Sequence, residues 1–183
     1  MTNSAALDDG IMAIGGLSRA LGGQAVLADV GSLLWVLIRQ VVRCDTMAMF
    51  TADESRDQVV IRYAAGVHAE VLDGIARPRS TGIAGWVASN LLPVLNAEPI
   101  LDLGFRAAVA PALRSSLVVP LVDEGVLVAV LALYSTELLA FTDDHAEMLG
   151  VLGPRLARTL GDAVVDRPRR TAETPVLRLV GGS

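Results

Sequence analysis

Apolar residues recur at spacings of three and four through the first part of the chain. Leu7, Ile11, Ile14, Leu17 and Leu21 make one stripe, and Leu27, Val30, Leu34, Leu37, Ile38 and Val41 make a second. This is the period of helices with one buried face. It predicts a first helix ending at Gly22-Gly23 and a second over residues 26–43. Gly10, Gly15 and Gly16 each weaken the first helix by about 1 kcal/mol relative to alanine, so that helix needs a packed partner to persist.

From Thr46 the period falls to two. Residues 46–52 and 58–65 read as strands joined through the polar turn Asp53–Asp57, an antiparallel hairpin closed by Gly66. A short helix is expected over 68–75, a loop over 77–82, a helix over 83–90 and a strand over 92–96. Residues 97–113 show no clear period, with Pro99 and Pro111 bracketing Asp102, Phe105 and Arg106. Residues 115–122 and 126–134 are the clearest strands, turned by Asp123-Glu124-Gly125. Both are almost continuously apolar, so both faces of their sheet should be covered. Thr142 then caps a last helix over 142–165, with Asp143 and Asp144 at the positive end of its dipole. Leu149, Leu152, Leu156, Leu160 and Val164 form its buried stripe, and Pro154 predicts a kink. Met148, Val151, Ala157 and Ala163 broaden the stripe and suggest a second packing surface. After Asp166 the composition shifts to Arg, Pro, Thr and Glu, as in a linker or tail. The organisation is then an N-terminal helical segment (1–24), one α+β domain (25–165) and a tail (166–183).

Composition narrows the chemistry. The chain of 183 residues carries a net charge of −5, and its 15 Lys+Arg are all arginine. Without lysine there is no phosphate-loop lysine, Schiff base or Ser-Lys dyad. The acidic balance argues against nucleic acid as a partner. No apolar run is long enough to span a membrane, and the start lacks a secretory pattern, so a cytoplasmic location is the expectation. The single cysteine, Cys44, excludes an internal disulfide or a paired-cysteine metal site and reads as a small buried hydrophobe. His68 and His145 read as solvated rather than ligating, since metal sites need several convergent ligands. Gly16-Leu17-Ser18-Arg19-Ala20 falls short of a nucleophile elbow and lies in a helical stripe.

Four short segments carry a resemblance. Gly82-Ile83-Ala84-Gly85-Trp86-Val87, followed by Pro93-Val94, resembles the G-x-x-G-x-V segment and P-V strand of GAF domains. Arg114-Ser115-Ser116-Leu117-Val118-Val119-Pro120-Leu121 resembles the family's R-S-x-L-x-V-P-L strand. Gly125 to Leu133 resembles the strand that follows, with Ala129 where the family often has glycine. Phe141-Thr142-Asp143-Asp144 resembles the F-T-x-x-D entry to the last helix. In series they cover residues 25–165.

The resemblance implies a central antiparallel sheet of five or six strands, with terminal helices on one face and a pocket roof on the other. It also implies a sensory or regulatory domain of bacterial signalling proteins. Such a domain forms a homodimer through its terminal helices and acts on a fused or separate output domain. Cyclic-nucleotide members carry a signature with lysine, which this chain lacks. Haem-binding members place a histidine before the R-S-x-L strand, where Val109-Ala110-Pro111-Ala112 stand here. Bilin-binding members attach pigment through a cysteine, and Cys44 lies away from the roof. Methionine sulfoxide reductases of the family use several cysteines. No cofactor and no catalytic residue are therefore expected. Trp86, Asp102, Phe105, Arg106, Leu113, Arg114, Ser116 and Tyr134 are the candidates to line a small-molecule pocket, by their mix of apolar bulk and a few polar groups. The competing readings are a ligand-free dimerisation or interaction scaffold and, outside the family, a Roadblock-like or PAS-like module.

Overall fold

The computed structural model describes residues 9, 10, 12, 27–109 and 111–165. Helix α1 (Leu27–Val41) leads into the hairpin β1 (Thr46–Asp53) and β2 (Gln58–Gly66). Then come α2 (Ala69–Leu72), β3 (Ala76–Pro78), α3 (Gly82–Asn90), β4 (Val94–Ala97), α4 (Ile100–Leu103) and a 3-10 turn (Gly104–Ala108). The hairpin β5 (Ser115–Asp123) and β6 (Val126–Ser135) and the long α5 (Asp143–Val165) complete the domain. The strands form one 6-stranded sheet in the order β3-β2-β1-β6-β5-β4, with every neighbouring pair antiparallel. This is the α+β arrangement the sequence predicts.

Alternation along the strands divides the core into two layers. Met47, Met49, Leu117, Val119, Leu121, Leu131 and Leu133 face α1 and α5. Ala48, Phe50, Val118, Val130, Ala132 and Tyr134 face the roof built from α2, α3 and α4. The terminal layer is closed by α1 through Val30, Leu34 and Ile38 and by α5 through Leu149, Leu152, Leu156 and Leu160. Helix α1 docks on β2 at Gly31, where a Cβ would come 2.6 Å from the Tyr63 ring. Residues 9, 10 and 12 are helical, and Gly10 abuts Leu37 so tightly that a Cβ would meet its methyls at 2.7 Å. The rest of the expected first helix, including Leu7, lies outside the described residues, as does the tail from 166.

Short elements differ from expectation in understandable ways. Arg77-Pro78, read as loop, belongs to the three-residue edge strand β3, where proline costs no ladder bond. The expected helix over 68–75 shrinks to Ala69–Leu72, since Gly74 takes a φ of +72° and ends it. The aperiodic stretch 97–113 contains α4 and the 3-10 turn, too short to show a period. Helix α5 runs unbroken through Pro154, whose exposed position faces solvent. Its entry is capped reciprocally: His145 N donates to Thr142 Oγ1 at 3.4 Å, and Thr142 N donates to His145 Nδ1 at 3.2 Å. Among the described residues no helix is long and apolar enough to cross a membrane.

The broadened stripe of α5 is mostly inward. Ala157 is fully buried, and Met148 packs against the same core. Val151 alone of the described members points out, 71% exposed; Ala163 has no described side chain. Leu160 is fully buried as well. Exposed apolar side chains lie instead on α1, at Leu33 and Val36.

Strand β4 pairs with β5 only as far as Val118. Pro120, lacking an N–H, sits on the remaining edge and blunts it. One bulge ties this edge to α5. Asn96 drops out of register between Leu95 and Ala97 with a φ of 50°, a conformation asparagine tolerates. Its Nδ2 donates to Phe141 O at 2.7 Å, and its Oδ1 accepts from Phe141 N at 3.1 Å. Asn96→Ala removes both bonds and the conformational preference. It is expected to lower stability by about 2 kcal/mol, read as a lower urea midpoint with an unchanged slope.

Candidate functional site: a buried polar seam beneath the roof

The register of three strands lines up one row of side chains on the roof face. Thr46 of β1 pairs with Tyr134 of β6, which pairs with Ser116 of β5. Directly paired residues project to the same face, so the three residues form a row across three neighbouring strands, near one end of each. All three residues are fully buried in a layer otherwise filled by Ala, Val, Ile, Leu and Phe. Ser116 Oγ donates to Ala97 O at 3.0 Å, which satisfies one end.

Two roof residues reach this row. His68 follows Gly66, whose φ of +99° turns the chain back over the start of β1; a Cβ there would collide with Asp45 O. The imidazole is consequently buried, 3% exposed. Its Nε2 lies 3.1 Å from Val109 O and its Nδ1 3.3 Å from Thr46 Oγ1. A carbonyl can only accept, so Nε2–H donates to Val109 O, while Nδ1 and the Thr46 hydroxyl share a second hydrogen bond. The sequence reading of His68 as solvated is therefore corrected.

Asp102 is the second. Its Oδ1 accepts from Ile83 N at 2.7 Å and Ala84 N at 2.9 Å, capping α3 from a distant segment. Gly82, at a φ of +75°, makes room: a Cβ would lie 2.6 Å from that oxygen. Arg77 Nε donates to Asp102 O at 2.7 Å and fixes the backbone. The other carboxyl oxygen, Oδ2, is buried without a partner among the described residues, and so is the Tyr134 hydroxyl. Burial raises the Asp102 pKa, offset in part by the Ala84 and Ile83 N–H bonds and by Arg77. Burial also holds the Tyr134 hydroxyl well above its ordinary value, with the negative charge of Asp102 adding to the effect. The two unpartnered groups thus sense each other inside one apolar layer. Leaving such a group unbonded costs about 1–3 kcal/mol. Tyr134 can both donate and accept, and Asp102 Oδ2 can accept when ionised and donate when protonated. Each therefore keeps hydrogen-bonding capacity that the described residues leave unused.

The sequence-selected residues divide. Asp102, Leu113, Ser116 and Tyr134 come together in the roof layer. Trp86 and Phe105 are exposed, at 45% and 76%, and so is Arg114. Arg106 is half-buried, its guanidinium 5.1 Å from the Phe105 ring on the outside of the roof. Helix α3 explains Trp86: Ile83, Ala84, Val87 and Ala88 take its inner face, which turns Trp86 outward. Thr46 and His68 are members the sequence did not single out. The available signal was Gly66, which sets the sharp reversal before His68.

A concavity opens on the helix side of the sheet, next to the same strand ends, where Asp45 adjoins Thr46 and Ser135 adjoins Tyr134. An open cleft of about 570 Å³ is lined by Arg39, Arg43, Cys44, Asp45, Glu137 and His145, among others, and shares no residue with the seam. Burial pushes the Cys44 thiol up to about 12, Asp45 adds to this and Arg39 opposes it, so the thiol stays protonated and unreactive at neutral pH. Burial opposes ionisation of Asp45 too, but bonds from Thr136 N, Thr136 Oγ1 and Ser135 Oγ outweigh it and lower the pKa. That carboxylate is engaged in holding the chain after β6. Among the described residues no group of three or more His, Cys, Asp or Glu is placed to hold a metal.

The raised Asp102 pKa has a pH signature. Below the ordinary 3.8 the carboxyl is protonated in both folded and unfolded chains. Above that value the unfolded chain releases its proton first, so stability falls as pH rises toward the folded pKa and stays lowered beyond it. Asp102→Asn keeps an oxygen for the Ile83 and Ala84 N–H groups and cannot ionise. The difference in urea stability between variant and wild type should therefore shift in favour of the variant as pH rises above 3.8, then level off. A difference that is constant with pH removes this account of the buried carboxyl.

The geometry matches known proteins. A family model for the GAF domain matches residues 28–160. Among solved structures, the GAF domain of a phosphoenolpyruvate-protein phosphotransferase from Acinetobacter is similar, with a TM-score of 0.64 and 16% identity, over 87% of this chain and 95% of that one. A free methionine-R-sulfoxide reductase from Neisseria meningitidis, solved with its substrate, gives 0.64 and 18% over 88% and 92%. The GAF-B domain of DevS from Mycobacterium smegmatis gives 0.59 and 20% over 74% and 93%. At these identities the likenesses speak for the fold alone. No curated protein matches the sequence. With the family model spanning most of the chain and the sheet, roof and terminal helices in place, this chain belongs to the GAF domain family.

Proposed function

We propose that this GAF domain is a non-enzymatic sensory or regulatory module that binds a small molecule at the seam. Occupancy would pass to a partner or fused output domain through a helical homodimer. The observation that carries the binding reading is the pair of buried, unpartnered polar atoms, Asp102 Oδ2 and Tyr134 OH, set in an apolar layer. Buried polar groups in folded proteins are almost always bonded, and departures from that rule collect at functional sites. A non-catalytic role fits the side chains present: the lone thiol is protonated, and the two histidines hold a strand and a helix cap. Support for a dimer comes from Leu33 and Val36 on α1, 42% and 57% exposed, with Val151 on α5. The second reading, a ligand-free scaffold, is favoured by the closure of the seam: Tyr134 is completely covered.

Native mass spectrometry of the purified protein separates the two. The expected result is a co-purified small-molecule adduct that disappears in the Asp102→Ala, Tyr134→Phe double variant while the fold, by circular dichroism, is kept. A wild-type protein that carries no adduct favours the scaffold.

Assembly is read by analytical ultracentrifugation at micromolar concentration. Wild type should sediment as a dimer, and Val36→Glu, charged on an exposed position, as a folded monomer. Leu160→Glu does not serve, because that side chain lies in the domain's own core. A wild-type monomer ends the dimer proposal.

A further inference from the structure

The roof segment Gly104–Val109 is a strap tied at both ends, and its ties differ in kind. At its start, Gly104 takes φ 59° and ψ −142°, which side chains with a Cβ avoid, and a Cβ there would meet Arg77 Nη2 at 2.8 Å. Arg77 also holds the carbonyl of Asp102, so this end is a fixed pivot. In the middle, Ala107 is buried in the same layer as Tyr134, whereas Phe105 and Val109 are exposed, at 76% and 41%. At its far end the Val109 carbonyl receives the Nε2–H of His68. Val109 itself turns outward, so no burial of its side chain secures this end; behind it, Leu113 N donates to Ala107 O at 2.9 Å and buried Leu113 leads the chain back to β5.

We infer that His68 is a positioning residue that latches the strap over the polar seam and so governs entry to it. The inference rests on reading the seam as the binding site. The ring is suited to the task because it is anchored on the sheet side. Thr46, which occupies Nδ1, belongs to the seam row itself and stands beside Tyr134. One buried ring therefore joins the floor of the site to its cover. Lifting Val109 away from His68 leaves the Leu113 N–Ala107 O bond as the tie that must also give for the strap to move outward from Gly104 and uncover Tyr134, while α3, capped separately by Asp102, stays in place.

The test uses the unliganded full chain and the variants His68→Ala and His68→Gln. Glutamine retains an N–H that can reach the carbonyl. Hydrogen exchange of the strap amides should accelerate by about tenfold in His68→Ala, the order expected for loss of one hydrogen bond. Amides of β1, β6 and α5 should be unchanged, and His68→Gln should restore much of the protection. Nitration by tetranitromethane should appear at Tyr134 in His68→Ala but not in wild type, with half-buried Tyr63 as the internal reference. Strap exchange at the wild-type rate overturns the inference. So does acceleration spread evenly through the sheet, which marks His68 as ordinary core packing. Fast strap exchange with an unreactive Tyr134 overturns it as well, since the strap would not be the cover. The measurement needs no ligand, so failure to find a co-purified molecule leaves the latch testable, and failure of the latch leaves the seam's ligand binding to be judged by mass spectrometry.

Discussion

The pairing of β1 with β6 is the constraint on which the rest of the domain depends. Thr46 to Phe50 lie against Tyr134 to Val130, joining the two hairpins into one sheet with β1 and β6 at its centre. A slip of β1 by one residue past β6 would turn Met47 and Met49 toward the roof while Leu131 and Leu133 stayed against the helices, and it would aim the Thr46 hydroxyl at the helical layer. Apolar burial fixes this register, because each of those four side chains is fully covered in the layer it occupies. The polar row follows from that alignment at no extra constraint on the chain: once Leu133 faces α1 and α5, Tyr134 must face the roof.

The two layers are held by different means. The helical layer is secured by side-chain packing, with leucines of α5 against leucines and valines of β5 and β6. The roof is made of short elements, none long enough to be stable alone, and it relies on specific polar ties instead. Asp102 caps α3, Arg77 holds α4, and His68 holds the far end of the strap. Polar ties of this kind are directional and individually modest, so each can be broken without dismantling the sheet. A rigid base with a separately fastened cover suits a site that must open and close.

The long elements were legible in the sequence because they repeat their period several times. The stripe from Leu27 to Val41 and the alternation through β5 and β6 each leave one reading. Four motif segments sharpened this to a family. The roof was harder, since α2 and α4 have four residues each and β3 has three, less than two repeats of any period. The candidate site was legible in part. Asp102, Ser116 and Tyr134 emerged from residue type, as polar groups set among apolar bulk. The outward turn of Trp86 depends on which face of α3 meets the sheet, and the low amphipathicity of that helix, with alanines and glycine on the inner side, conceals it. His68 was misjudged because nothing local predicts its burial: the backbone reversal at Gly66 brings it over Thr46, 22 positions earlier in the chain.

The distance along the chain between β1 and β6 also shapes how the protein comes into being. Synthesis proceeds at about 5–20 residues per second, so β1 emerges on the order of ten seconds before its central partner does. During that interval Met47, Met49 and Phe50 can pair only with β2, and both faces of the hairpin remain wet. Folding must therefore await synthesis of β6, and contacts so remote in sequence are slow to close even then. The nascent hairpin is the point in the life of this chain at which chaperones, or neighbouring ribosomes on the same message, would encounter it.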